Sequence, residues 1–210
     1  GFILAGDSIT LIDTCFTERR SRDLAAAVAR ASRARPGSTG GDRTVRTLVN
    51  THHHGDHTHG NYVFGQVAIV GHEKCREEVI AAGLGAKALW PDTDWGEIIV
   101  APPNITFRDR LTLYAGDLEV QLIYVGPAHT SNDIVAWLPG PRVLFTGDVV
   151  FNGGTPFVVI GSLAGSLTAL DTLRALISDD TAHPDALQAI NSAHPEALEG
   201  RTPRQAPTLA

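Results

Sequence analysis

Four histidines and one aspartate crowd into a six-residue stretch. Thr51 is followed by His52, His53, His54, Gly55, Asp56 and His57, directly after the β-prone run Val45 to Val49. His52 and His54 are two residues apart, so an extended backbone points both rings to the same side. Neutral imidazoles on one side suit zinc, at about 2.0–2.1 Å per bond. Beyond Gly55 a turn can aim Asp56 and His57 at an adjacent second ion. The run is interrupted and sits mid-chain after a strand, which is not how an expression tag is built. A fold able to carry this segment needs a rigid strand end that opens onto a ligand site.

Two further residues fit the same logic. His129 follows the apolar strand Val120–Val125 through Gly126, Pro127 and Ala128, and Asp148 follows Val143–Phe145 through Thr146 and Gly147. Side chains at successive strand ends converge on one edge of a sheet. His129 then becomes the third ligand of one zinc, and Asp148 a carboxylate able to bridge two.

The remaining pattern sets the class. Phe2–Leu4 and Ile9–Ile12 read as a hairpin around Ala5-Gly6-Asp7-Ser8. A helix starts near Thr17 and carries the stripe Leu24, Val28 and Ala31, ending at the Pro- and Gly-rich stretch 35–41. Val67–Val70 reads as a strand and Glu73–Ala82 as a helix stopped by Gly83. Trp90 to Asn104 holds three prolines and reads as loop. Leu111–Tyr114, Val120–Val125, Ile134–Leu138 and Val143–Phe145 read as strands, and a helix after Gly165 places Leu167, Leu170, Leu173 and Ile177 at helical spacing. The expected architecture is α+β, one domain over residues 1–177, with helices outside packed sheets. Residues 178–210 are expected to be an atypical C-terminal segment with no strand in it and a disordered tail.

Composition narrows the function classes. With 17 Lys plus Arg against 23 Asp plus Glu the net charge is −6, which gives no general attraction to nucleic acid or anionic lipid. No apolar run approaches the ~20 residues of a membrane span, and the first residues do not read as a signal peptide. Cys15 and Cys75 are too few and too far apart for a disulfide framework, so they are expected to be reduced thiols in a cytoplasmic protein.

The series His52-x-His54-x-Asp56-His57, His129-Thr130 and Gly147-Asp148 resembles the metallo-β-lactamase superfamily. The resemblance implies an αββα four-layer sandwich, shortened at both ends here, with the site at one edge of two sheets. It implies His52, His54 and His129 on one metal, Asp56 and His57 on the other, and Asp148 between them. It also implies one more His for the second ion, after a strand beyond the last helix. There the chain offers only His183 and His194, so two zinc ions are expected, the second on a site short of a ligand.

A narrower resemblance, carried by Leu89-Trp90-Pro91, Asp94-Trp95-Gly96-Glu97, the run Pro102 to Leu111, Gly126 to Thr130 and Thr155-Pro156-Phe157, is to the cyclase/thioesterase branch of aromatic polyketide pathways. It implies a zinc-dependent hydrolase or cyclase acting on an acyl-carrier-bound polyketide thioester, with Asp56 orienting water or taking its proton. Phe2, Trp90, Trp95 and Phe157 are candidates to line an aromatic slot, and Tyr62 to hydrogen-bond substrate. An acyl carrier protein is the implied partner, and homo-oligomerisation is open. The alternatives are another hydrolase on the same fold (a lactonase, β-lactamase or small thioesterase) or a degenerate member serving as a scaffold.

Overall fold

Alternation along the strands decides how the layers stack. In β2 (Ser8–Ile12), Leu11 points one way and Ile12 the other, and both are fully buried. The same two-faced burial recurs at Leu48 and Val49 of β3 (Thr44–Val49) and at Ile69 and Val70 of β4 (Ala68–His72). A strand apolar on both faces must be covered on both. Ile12, Val49 and Val70 join Ile3 and Ala5 of β1 (Phe2–Ala5) in a core shared with a second sheet. Leu11, Leu48 and Ile69 face the opposite way, onto Val28 of α1 (Glu18–Ala34).

The second sheet repeats the arrangement. Leu122 of β7 (Leu118–Tyr124), Ala136 of β8 (Ile134–Leu138) and Phe145 of β9 (Val143–Phe145) enter the shared core. Their neighbours Ile123, Trp137 and Leu144 pack on Ala169 and Leu173 of α4 (Leu163–Ser178). The result is helix, sheet, sheet, helix: the αββα sandwich expected from the sequence. The computed structural model describes residues 1–34, 43–158, 160–178 and 188–190.

In the first sheet the order is β1-β2-β3-β4-β5, with β5 at Ile105–Phe107. Only β1 and β2 are antiparallel; β2 through β5 run parallel. In the second the order is β10-β9-β8-β7-β6, with β6 at Arg110–Ala115. That sheet is antiparallel except for β10 (Gln188–Ile190), which pairs parallel to β9. A strand beyond α4 therefore exists, against the expectation of none. Three residues between polar and proline-rich flanks are too short to show a period. His183 and His194 both lie outside the described residues.

Among the described residues no helix is long and apolar enough to cross a membrane. Cys15 and Cys75 are free thiols, Cys75 fully buried.

His72 closes β4 and caps α3 (Glu73–Ala82): its Nδ1 accepts from the Lys74 amide at 3.2 Å, and its ring stacks on Tyr124 at 4.2 Å. Burial lowers its pKa, against the opposing pull of the Arg108 carbonyl and the Glu73 carboxylate. A folded pKa below the unfolded one means that this stabilisation is complete above about pH 6.5 and is lost as pH falls below it. The urea midpoint should therefore drop between pH 8 and pH 5.5 by less in His72→Asn, which can cap without titrating, than in the parent protein. Equal drops would remove His72 as a cause.

Candidate metal centre

Four strand ends supply the site, two from each sheet. Asp13 follows β2 and residues 51–57 follow β3, while His129 follows β7 and Asp148 follows β9. The sheets are tied together here by a backbone bond from the Ile134 amide to the Thr51 carbonyl, 2.9 Å. Gly147 lets the last segment approach. Its φ is +51°, and a Cβ there would lie 2.6 Å from Thr51 Oγ1, so a side chain would push Asp148 away from the other ligands.

After His54 the chain turns into α2 (Gly55–Thr58), which brings Asp56 and His57 round to the side of the earlier histidines. His54 Nδ1 lies 3.0 Å from His129 Nε2, and His129 Nε2 lies 3.6 Å from Asp148 Oδ2. His57 Nε2 is 3.3 Å from Asp56 Oδ2 and 3.4 Å from Asp148 Oδ1. Two sets have ligand atoms within 4.8 Å of one another: His52 with His54 and His129, and His52 with His57 and Asp148. Asp56 belongs to neither set but touches His57 of the second.

The fit to a cation is read from atoms left without partners. His52 Nε2, His57 Nε2 and Asp148 Oδ1 are buried and have no hydrogen-bond partner among the described residues. Three such atoms in one place are costly unless something positive sits between them. Burial lowers the pKa of His52 well below its usual value. Burial likewise brings His54 down to about 4, helped by His53 and His129. Both rings are thus neutral and able to ligate at neutral pH. His57 goes the other way. Burial pulls its pKa down, but the carboxylates of Asp56 and Asp13 outweigh that and hold it well above the ordinary value. Asp56 is pushed up by burial, yet the adjacent His57 holds it well below the usual carboxylate range.

Asp13 is a functional residue that the sequence reading missed. It is 3% exposed and adopts φ +59°, a left-handed conformation that Asp tolerates better than most residues. Its carboxylate accepts from the Thr51 amide (2.7 Å) and the Thr51 hydroxyl (2.7 Å), and meets His57 Nδ1 at 3.0 Å. That contact leaves His57 Nε2 facing the site. The only signal in the sequence was a lone Asp at the end of an apolar strand, the pattern that singled out Asp148. His129 is oriented comparably, its Nδ1 bonded to the Phe157 carbonyl.

Of the proposed substrate-binding residues, Phe157 stands at the site, 56% exposed with its ring 6.2 Å from that of His129. Trp90 and Trp95 are placed elsewhere. Both pack edge-on against Phe16, at 5.3 and 4.5 Å, and Trp95 Nε1 donates to the Trp90 carbonyl. Phe16 in turn stacks on His59. The tryptophans thus pin the loop 90–96 to the start of α1, Trp95 buried and Trp90 half exposed. Phe2 packs in the core under α1. The Tyr62 hydroxyl donates to the Glu97 carbonyl, so it holds a loop.

The family model of the metallo-beta-lactamase superfamily matches residues 1–182. A hydroxyacylglutathione hydrolase from Synechococcus sp. is 32% identical over 145 residues, which cover 66% of this chain and 49% of that protein. A linear primary-alkylsulfatase from Pseudomonas sp. is 26% identical over 218 residues, covering 84% and 39%. The chain spans about half the length, or less, of the curated relatives it matches. Among solved structures, a metallo-beta-lactamase from Pontibacter korlensis aligns with TM-score 0.65 at 20% identity, over 85% of this chain and 74% of that one. A metallo-beta-lactamase family protein from Thermus thermophilus aligns with TM-score 0.63 at 21% identity, over 84% and 64%. At such identities the likeness concerns the fold.

Replacing Asp13 with Ala leaves buried donors on Thr51 and His57 unpaired, which should cost about 3 kcal/mol. Urea unfolding of metal-free protein measures it. A loss below about 1 kcal/mol, the size of an ordinary surface change, would show that Asp13 does not organise the loop.

Proposed function

The chain belongs to the metallo-beta-lactamase superfamily, and from that premise we propose that it is a metal-dependent hydrolase of acyl thioesters. The observation that carries the reading is the convergence of His52, His54, His57, His129 and Asp148, with three buried ligand atoms left without hydrogen-bond partners among the described residues. His52, His54 and His129 would hold one cation, and Asp56 and His57 a second, with Asp148, whose two oxygens face His57 and His129, available to both. Zinc suits this His and Asp set. When bound, such an ion polarises a carbonyl and makes water a competent nucleophile near neutral pH.

The chain's own groups supply the rest. Asp56 is half-buried beside His57 Nε2, where its carboxylate can orient the water that attacks the acyl carbon or take its proton. The C–S bond then breaks, and the thiolate leaves with little need of a strong acid. His129, fixed by the Phe157 carbonyl, and His57, fixed by Asp13, keep their other nitrogens aimed inward, so little reorganisation is needed during the reaction.

Thioester hydrolysis is favoured over polyketide ring closure on two grounds. Several curated relatives are named hydroxyacylglutathione hydrolases. Trp95, one of the tryptophans that were to form an aromatic slot, is buried against Phe16. The assembled ligand set also speaks against a degenerate scaffold.

Zinc-loaded protein should hydrolyse a hydroxyacylglutathione faster than an aromatic polyketide thioester or an alkyl sulfate. Asp56→Asn should lower kcat by about a hundredfold or more. Preference for the polyketide thioester would restore the cyclase reading, and no turnover of any of the three would sink the hydrolase reading. By elemental analysis, His52→Ala and His129→Ala should each lose the first ion, and His57→Ala the second. Full zinc content in both His52→Ala and His57→Ala would rule out this ligand assignment.

A further inference from the structure

An open cavity adjoins the metal centre on the side of His54, which is both one of its walls and a member of the first ligand set. We propose that this cavity is the acyl-tail subsite of the thioester hydrolase and receives an uncharged aliphatic chain. The inference rests on the thioesterase reading and specifies which half of the substrate goes where.

The lining explains the choice of ligand. Its apolar surface comes from Val79 and Ala82 at the end of α3, Ala86 in the turn Gly85–Ala88, and Val100 and Ala101 in the segment that follows the tryptophans. Among the described residues, no Asp, Glu, Lys or Arg lines it. Apart from His54, the polar groups that do are already engaged. The Thr58 hydroxyl bonds to the His53 and His54 carbonyls. His53 Nδ1 meets Asn132 and Glu78, and the His59 ring meets the carbonyls of Phe16 and Gly83. The free surface is therefore hydrocarbon. It would desolvate a charged peptide-like thiol carrier at a loss, whereas it takes methylenes out of water at a gain. Three of its five apolar residues are alanines, and their small side chains leave the space open. Because His54 belongs to both, a carbonyl held at the ligand cluster would place its aliphatic tail on the cavity side and its thiol side toward solvent.

The test is a chain-length series. With zinc-loaded protein and straight-chain acyl thioesters from butanoyl to octanoyl, kcat/KM should rise roughly threefold to fourfold per added methylene. Ala86→Phe, which fills the cavity, should flatten that slope. Ala82→Leu, on a helix that accepts leucine well, should reduce it as a second and milder plug. Calorimetric binding of the matching alkanoates reads the same slope without turnover. If no thioester is hydrolysed but alkanoate affinity still climbs with length in the parent and not in Ala86→Phe, the reaction is misassigned and the subsite stands. A slope that is flat in the parent, or equally steep in both variants, overturns the subsite.

Discussion

One buried carboxylate organises the site. Asp13 sits in the interior at the end of β2, in a left-handed backbone conformation, and binds both donors of Thr51 and Nδ1 of His57. A charge taken out of water is tolerable only when it is fully paired, and the pairing here is supplied by the segment that carries the ligands. The loop 51–57 is therefore fixed in place by the group it neutralises. Asp13 reaches it because β2 and β3 are parallel neighbours, which brings their C-terminal ends together.

The sandwich around this point is a consequence of strands buried on both faces. Leu48 and Val49 are adjacent in sequence, yet one packs under α1 and the other between the sheets. A slip of one residue in β3 would exchange them and rotate His52 and His54 away from His129. Hydrophobic packing thus sets the register that the metal ligands require. Gly147 makes the matching provision on the other sheet, where only a residue without a side chain can pass Thr51 so closely.

Much of this was legible in the residues. The spacing of His52, His54, Asp56 and His57, and the positions of His129 and Asp148 at strand ends, follow from local period and turn chemistry, and the structure brings all six side chains together. Asp13 was not legible, because a single carboxylate shows no period and its meaning depends on which strand lies beside it. The strands β5 and β10, three residues each, exist through pairing with partners distant in sequence, which short runs do not announce. Trp90 and Trp95 are a related case. Aromatic residues in a proline-rich loop look available for ligand, and only the tertiary contact with Phe16 shows that they are used in packing. The cavity beside His54 was equally hidden, since its walls come from separate segments of the chain.

The division of the ligands between two sheets bears on the order of events when the chain folds. His52 and Asp148 lie far apart in the chain, and neither sheet alone holds a complete set. Contacts so distant in sequence form late, after the entropy of closing the long intervening loop has been overcome. Tight capture of an ion should therefore wait for the two halves to dock, and then oppose their separation. Metal occupancy in this protein would report that assembly of the sandwich is complete, and a chain that had joined only one sheet would have little hold on the ion.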